Sequence, residues 1–394
     1  MVNAIQEFDI VIVGGGIVGA AAACRLSKHY SRIAIVDMGS PTIWEPGEPY
    51  GLRVSALNLA SINLFKQIDI WNSILSMRAC PYTSMVVWEQ EGSAEIEFNA
   101  NETSHASLGA IVENQVMLAA LDQALNASSV VRFNESALKN CHAISGTSML
   151  VELDNDTRLS TKLLIGADGL SSKVRVCAGI DTRHNKYHQF GLVAVVETEK
   201  PHQHTAWQCF NHDGPLALLP LSDNVCSIVW SVSEERSNEL DAMNDTDFNQ
   251  QISSGSEYKL GQLKLISARK NFPLLGLQAE RYTGERVVLM GDAAHVVHPL
   301  AGLGLNLGIA DVNCLATLLT ESSRPLGSHR VLRQYERERK SENVIMQHSL
   351  EWIDKLFRGE QQITRSIRSA GVNMTNKTMP LKSIFMHKAL GIPV

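Results

Sequence analysis

The sequence lacks any continuous run of about 18 apolar residues, the length a membrane-spanning helix needs. The amino terminus lacks a basic segment followed by a long apolar stretch and a cleavage site, so no secretory signal is expected. The seven cysteines are scattered, with no CxxC pair and no regular framework. That spacing excludes a disulfide scaffold or a paired-cysteine zinc site, and fits buried free thiols in a reducing compartment. Positive charge is in deficit: 35 Lys and Arg against 41 Asp and Glu give a net charge of −6. Nucleic acid is therefore not expected as the main partner. The expected location is the cytoplasm, either free or peripheral at the inner face of the membrane.

What is present suits a folded chain. There are 394 residues, 44% of them hydrophobic and 19% charged, enough for two cores rather than one. The charge is uneven. From Gln361 to Val394 the chain carries Arg365, Arg368, Lys377, Lys382 and Lys388 and no acid, so residues 1–360 hold −11 of the net −6. A basic tail on an acidic body predicts contact with an anionic membrane surface or a lipid-handling partner.

"FDIVIVGGGIVGAAAACRLSKHY" reads as strand, tight turn and helix. Gly14, Gly16 and Gly19 form G-x-G-x-x-G. In that pattern the first glycine permits the turn, the second lets a pyrophosphate approach, and the third lets helix and strand pack closely. The next strand, "RIAIVDMG", ends in Asp37, about 20 residues on, where an acid binds a ribose 2′-hydroxyl. An acid there disfavours a 2′-phosphate, so the expected dinucleotide is FAD or NAD rather than NADP.

Three further segments repeat the theme of a strand or helix meeting a special turn. "GLRVSALNLASINLFKQIDIW" predicts a helix through Leu57, Ala60, Leu64 and Ile68, with Arg53 just ahead of it. "LLIGADGLSSKVRVCAGI" predicts a buried strand entering Asp168-Gly169 and then a helix carrying Ser172 and Arg175. "RVVLMGDAAHVVHPLAGLGLNLG" predicts a strand running into Asp292, followed by glycine amides at the head of another helix. A helix amino terminus concentrates unpaired N–H donors and partial positive charge, so something anionic belongs there. The first loop suits a pyrophosphate. The second suits the redox end of the same cofactor, because reduced flavin carries negative charge over N1 and C2=O.

Together, "VIVGGGIVG", "RVSAL", "IVEN", "LIGADGLSSKVR", "GDAAHVVHPLAGLGLNLG" and "YERERK" resemble the class A flavoprotein aromatic hydroxylases, the para-hydroxybenzoate hydroxylase fold, over nearly the whole chain. Within that group the chain is similar to the ubiquinone-biosynthesis hydroxylases. The resemblance implies an α/β fold: a Rossmann-like FAD-binding domain with an inserted mixed β-sheet substrate domain and a C-terminal helical segment. The expected division is 1–75, 106–182 and 271–350 for FAD, 76–105 and 183–270 for substrate, and 351–394 for a basic helical tail. By the same resemblance Gly14, Gly16, Gly19 and Asp37 hold the ADP half. Arg53 lies along the cofactor with Asn114 nearby. Asp168 belongs to a motif linked to FAD and nicotinamide cofactor. Asp292 meets the ribityl and pyrophosphate region. Pro299 and the loop Gly302, Leu303, Gly304, Leu305 and Asn306 lie against the isoalloxazine. Many relatives have Gln where this chain has Leu303; the backbone amides are unaffected.

The resemblance further implies NAD(P)H as a transient donor, dioxygen as co-substrate, and a polyprenyl phenol or quinol hydroxylated through a flavin C4a-hydroperoxide. "MRACPY…WEQ" and "DGPLALLPL" favour the step on a demethoxy-quinol. The sequence names no catalytic base. Two alternatives stand beside this reading: a flavin enzyme saturating polyprenyl double bonds, and a non-catalytic flavin-binding subunit of a biosynthetic complex.

In the substrate segment, "AEIEF", "HTAWQCF", "PLALLPL" and "CSIVWSV" read as strands joined by turns at Asp213-Gly214 and Ser222-Asp223-Asn224. Alternation places His202 and His204 on one strand face, with no further ligand at metal spacing, which reads as a surface pair. Pro299 argues against helical pairing of His295 and His298, so no zinc is expected there. Ser171-Ser172 lacks the nucleophile-elbow context of a hydrolase.

Overall fold

The computed structural model describes residues 4–90, 95–298, 302, 304–358 and 391. Three sheets organise them. In the first, Gln6–Val13 lies between Arg158–Gly166 and Ile33–Val36, parallel to both. Val131–Phe133 extends one side, parallel to Ile33–Val36, and Val287–Leu289 extends the other, parallel to Arg158–Gly166. These strands are apolar on both faces: Ile10, Ile35, Leu164 and Val288 are all essentially inaccessible. Such continuous burial is what a parallel sheet covered by helices requires. Leu138–Ser145 and Ser148–Leu153 add an antiparallel hairpin.

The parallel strands all run the same way, so their carboxyl ends share one edge. Val13 leads into Gly14, Val36 into Asp37, Gly166 into Asp168, and Leu289 into Asp292. Open α/β sheets bind ligands outside this edge.

The second sheet is mixed, with nine strands. Thr182–Thr198 lies between Lys270–Ala279 and Val225–Ser233, antiparallel to both. Gly214–Ser222, Thr205–Asn211, Ser84–Glu89 and Glu95–Asn99 continue it, and Thr205–Asn211 runs parallel to Ser84–Glu89. Its core packs Trp230, Leu218 and Ile228 beneath Leu240, Phe248 and Ile252 of two covering helices. The four strands and both turns read from this part of the sequence are present. A third, small sheet joins Val54–Asn58, Gly109–Glu113 and Ala79–Tyr82. After Asp292 the chain steps directly from the first sheet into the second, where His295–Val296 pairs with Lys270–Ala279. The long helix His329–Arg358 passes unbroken through residue 351, where the tail was expected to begin; the basic residues of that tail lie outside the described residues.

Two local expectations fail. Leu57 belongs to a strand, not a helix, because Val54–Asn58 finds a partner in Gly109–Glu113. The helix starts at Leu59, capped by Asn58, whose side chain accepts from the Ser61 N–H at 2.9 Å. His202 and His204 do not share a strand face. They sit in a turn closed by Thr205 N–H on the His202 carbonyl, with Gln203 and His204 at positive φ, and His202 is only 2% exposed.

Candidate cofactor site

The glycine loop shows which glycines serve the fold and which serve a ligand. Gly14 has φ +106°, and a Cβ there would lie 2.2 Å from the Ala167 carbonyl oxygen. A Cβ on Gly19 would lie 1.9 Å from the Gly14 carbonyl oxygen. Those two positions let turn, helix and strand touch. A Cβ on Gly16 would meet nothing within 4 Å. Gly16 opens the helix Ile17–Ser27 with no side-chain cap, so bare N–H donors face vacant space at the helix head. Asp37 reaches back across this loop, accepting from the Gly15 N–H and, at 2.7 Å, from the Gly39 N–H.

The downstream loop repeats the arrangement. Gly304 opens the helix Gly304–Glu321, and a Cβ on it would again meet nothing within 4 Å. Gly302, at φ +62°, lies close against Ala56. Asn306 donates to the Ala56 carbonyl at 2.8 Å and accepts from the Asn58 N–H at 2.9 Å and the Ser61 hydroxyl at 2.7 Å. Its side chain therefore clamps the loop to the small sheet. Leu305 is half-buried against the first core. Pro299 and Leu303 lie outside the described residues. The two helix heads are neighbours. A Cβ at Gly308 would lie 2.7 Å from Val18, and one at Gly291 would lie 3.2 Å from it, so Val18 wedges between the second helix and the Asp292 turn. Two positive helix ends therefore converge.

Between them stand two unmatched charges. Asp292, in the turn Gly291–Ala293, accepts no hydrogen bond from any described residue. Its carboxyl is raised above the ordinary range, chiefly by burial, with His295 and Arg53 opposing. Asp292 is nonetheless exposed to solvent. Arg53 is exposed; its carbonyl accepts from the Asn114 N–H at 2.9 Å, while its guanidinium bonds to no described residue. The Asn114 side chain accepts from Ser55 at 2.8 Å. A carboxylate and a guanidinium without hydrogen-bond partners among the described residues, beside two open helix heads, fit a long, polar, anionic ligand.

Asp168 is placed differently from a free ligand acceptor. Its carboxylate accepts from Ser172 and from the Lys173 and Val174 N–H groups at 2.7 and 3.1 Å. It thus anchors the head of the short helix Lys173–Cys177. Arg175 of that helix, 7% exposed, donates to the Ala293 carbonyl at 2.9 Å and the Leu170 carbonyl at 2.8 Å. The helix therefore ties the Asp168 turn to the Asp292 turn.

Sequence reasoning missed the group that holds Asp292 in place. Asp311 is fully buried and accepts from the Gly291 N–H at 3.0 Å, from His295 at 2.6 Å and from Arg339 at 2.8 Å. Burial by itself would raise its carboxyl, but His295 and Arg339 outweigh burial and hold it below the ordinary range. Asn343 also reaches Asp311, at 3.4 Å. The available signal was a lone acid in the apolar run "LNLGIADVNCLATLL", with Arg339 waiting in "YERERK".

Comparison with known proteins agrees with this site. The FAD binding domain family matches residues 7–347. The 3-demethoxyubiquinol 3-hydroxylase of Escherichia coli (strain K12) is 35% identical, covering 98% of this chain and 99% of its own. The human mitochondrial ubiquinone biosynthesis monooxygenase COQ6 is 34% identical, covering 96% and 92%. Among solved structures, Pseudomonas aeruginosa PqsL, a probable FAD-dependent monooxygenase, superposes with a TM-score of 0.77 at 20% identity, over 94% of this chain and 100% of that one. The p-nitrophenol 4-monooxygenase PnpA of Pseudomonas putida gives 0.78 at 16%, over 99% and 100%. Those two likenesses show the fold. With the family match and the relatives, they make this chain a member of the FAD-dependent aromatic-ring monooxygenases, in the ubiquinone-biosynthesis hydroxylase family.

Proposed function

We propose that the protein hydroxylates the ring of a polyprenyl phenol or quinol in ubiquinone biosynthesis, at the step taking a demethoxy-quinol. The observation that carries the cofactor part is the pair of open helix heads flanking unpartnered Asp292 and Arg53. In this reading Gly16 admits the pyrophosphate, Asp37 shapes its loop and faces the adenosine ribose, and Asp292 and Arg53 grip the middle of FAD. Asn114 lies alongside, and Asp168 acts through the helix it anchors. Pro299 and the Gly302–Asn306 loop face the isoalloxazine, with backbone N–H groups stabilising negative charge on the reduced ring. Bound FAD supplies the activation of dioxygen, and NAD(P)H the electrons.

The protein's own work is to orient the ring and exclude water. The facing sides of the second and third sheets are apolar, with Val195 and Leu221 against Ile111, Val54 and Tyr82. Ala56 belongs to the same cluster and borders Gly302. That wall suits a lipophilic ring beside the flavin. We assign the FAD-binding and substrate roles to the segments divided as the sequence suggested, except that Lys270–Ala279 and His295–Val296 go with the substrate part, because both belong to the second sheet.

No described helix is long and apolar enough to cross a membrane. A polyprenyl substrate resides in the bilayer, so the enzyme meets it from outside, with residues 361–394 as the contact. The 35% identity to the Escherichia coli 3-demethoxyubiquinol 3-hydroxylase supports the choice of step. Quinone profiling by mass spectrometry in a strain lacking the protein tests the assignment. Accumulation of the demethoxy intermediate is expected. Accumulation of an earlier phenol moves the reaction to another ring position, and an unchanged profile rejects the reading.

A further inference from the structure

Two thiols meet beside the short helix Lys173–Cys177. Cys141, in the strand Leu138–Ser145, is 4% exposed; Cys177, the last residue of the helix, is half-buried. The Asn140 side-chain oxygen accepts both the Cys141 N–H at 2.9 Å and the Cys177 thiol at 3.9 Å. That shared acceptor sets Cys177 beside Cys141, in the contact between the short helix and the strand Leu138–Ser145. Lys173 pins the other end of the helix to the same strand, donating to the Leu138 carbonyl at 3.2 Å.

The helix is also tied to the Asp168 and Asp292 turns of the cofactor edge and, through Ala167, to the Gly14 turn. Its head is held by Asp168, whose neighbour Ala167 presses on Gly14. Its Arg175 holds Ala293, next to Asp292. Displacing its last residue therefore reaches the pyrophosphate loop and the Asp292 turn together.

We propose that Cys141 and Cys177 are a modification site: hydrogen peroxide joins them in a disulfide, and this bond weakens FAD binding by shifting the helix. Peroxide is at hand, since a flavin monooxygenase releases it whenever oxygen is reduced without hydroxylating a substrate. Cys177, the more accessible thiol, attacks one peroxide oxygen. The O–O bond breaks, leaving a sulfenic acid on Cys177 and one water. The Cys141 sulfur then displaces the sulfenic hydroxyl, which leaves with the second thiol proton as water. Two thiols lose two electrons, and one peroxide becomes two waters. Burial raises the Cys141 thiol well above its ordinary range, so it does not start the reaction and gives up its proton only as the bond to the oxidised Cys177 forms. A thiol contact must shorten to a bond of about 2.05 Å, and the end of the helix moves with it.

Full-length, FAD-loaded protein treated with hydrogen peroxide, alkylated and digested provides the test. A peptide pair linked through Cys141 and Cys177 is expected, lost on reduction and absent from Cys177→Ser. FAD titration of the oxidised protein should show affinity weakened about fivefold or more, restored by dithiothreitol. Absence of the linked pair overturns the site. A linked pair with unchanged FAD affinity overturns its effect on the cofactor. An equal loss of affinity in peroxide-treated Cys177→Ser or Cys141→Ala also overturns that effect.

Discussion

Replacing Asp292 by alanine separates binding from folding. Asp292 has no hydrogen-bond partner among the described residues, and burial raises its carboxyl against the pull of His295 and Arg53. A raised carboxyl binds protons more tightly in the folded chain than in the unfolded one. Its ionised form therefore lowers stability at neutral pH, and that penalty disappears as pH falls below the unfolded value. Removing it leaves the apo-protein at least as stable as the parent at pH 7. The cofactor loses a charge-assisted hydrogen bond, a loss of about 1.5–3 kcal/mol, or roughly 10- to 150-fold in affinity. Stabilisation by FAD falls in step, by about 1.4 kcal/mol for each tenfold loss at saturating cofactor. Titration by flavin fluorescence, together with thermal melts with and without FAD, measures both quantities. Asp292→Asn should fall between alanine and parent. Parental FAD affinity in Asp292→Ala, or an apo-protein that melts markedly lower, would refute the reasoning.

The two glycines of the first loop should behave oppositely. Gly16→Ala, with nothing within 4 Å, should leave the apo melting temperature near parental while FAD affinity falls at least tenfold or so; Gly14→Ala should destabilise the fold itself, and equal melting of the two apo variants would contradict this. Asp311→Asn should cost about 3–5 kcal/mol in chemical denaturation, since Arg339 and His295 lose a buried counter-charge. The Asp311 carboxyl is depressed in the fold, so its contribution is present above the unfolded value and lost as pH falls through the folded one. Stability should therefore drop less steeply below about pH 4 in the variant, and parallel acid curves would reject the assignment. Co-sedimentation with anionic liposomes should be stronger for the full chain than for a chain ending at Glu360, with salt weakening the difference; equal binding by two folded forms removes the tail as the membrane contact.

The parts of this site written in local signals could be read directly. Gly14 to Gly19 follows an apolar strand and opens a helix, and the Asp37, Asp168 and Asp292 turns each end a short apolar run. The sequence-level reading went astray where the deciding partner is distant in the chain. Val54–Asn58 is a strand because Gly109–Glu113 lies beside it, and over so few residues helical and strand spacing look alike. His202 is buried because a turn, not a strand, carries it. Asp37 and Asp168 could be recognised as special but not how they act, because their hydrogen bonds go to their own loops. The Asp311 cluster draws residues from two helices and a turn, and no spacing rule joins them.

The placement of Val287–Leu289 beside Arg158–Gly166 has a consequence during synthesis. Until that late strand emerges, the hydrogen-bonding edge of Arg158–Gly166 that it covers stays open, and the helix carrying Gly304 does not yet exist. At roughly 5–20 residues per second, the nascent chain presents an apolar strand with part of one edge unpaired for several seconds. Such an edge invites pairing with other chains. FAD cannot bridge both loops before then, so cofactor capture comes at the end of synthesis and closes the period in which the chain is most prone to aggregate. Shortage of flavin in the cell should therefore appear first as lost protein, and only afterwards as lost turnover.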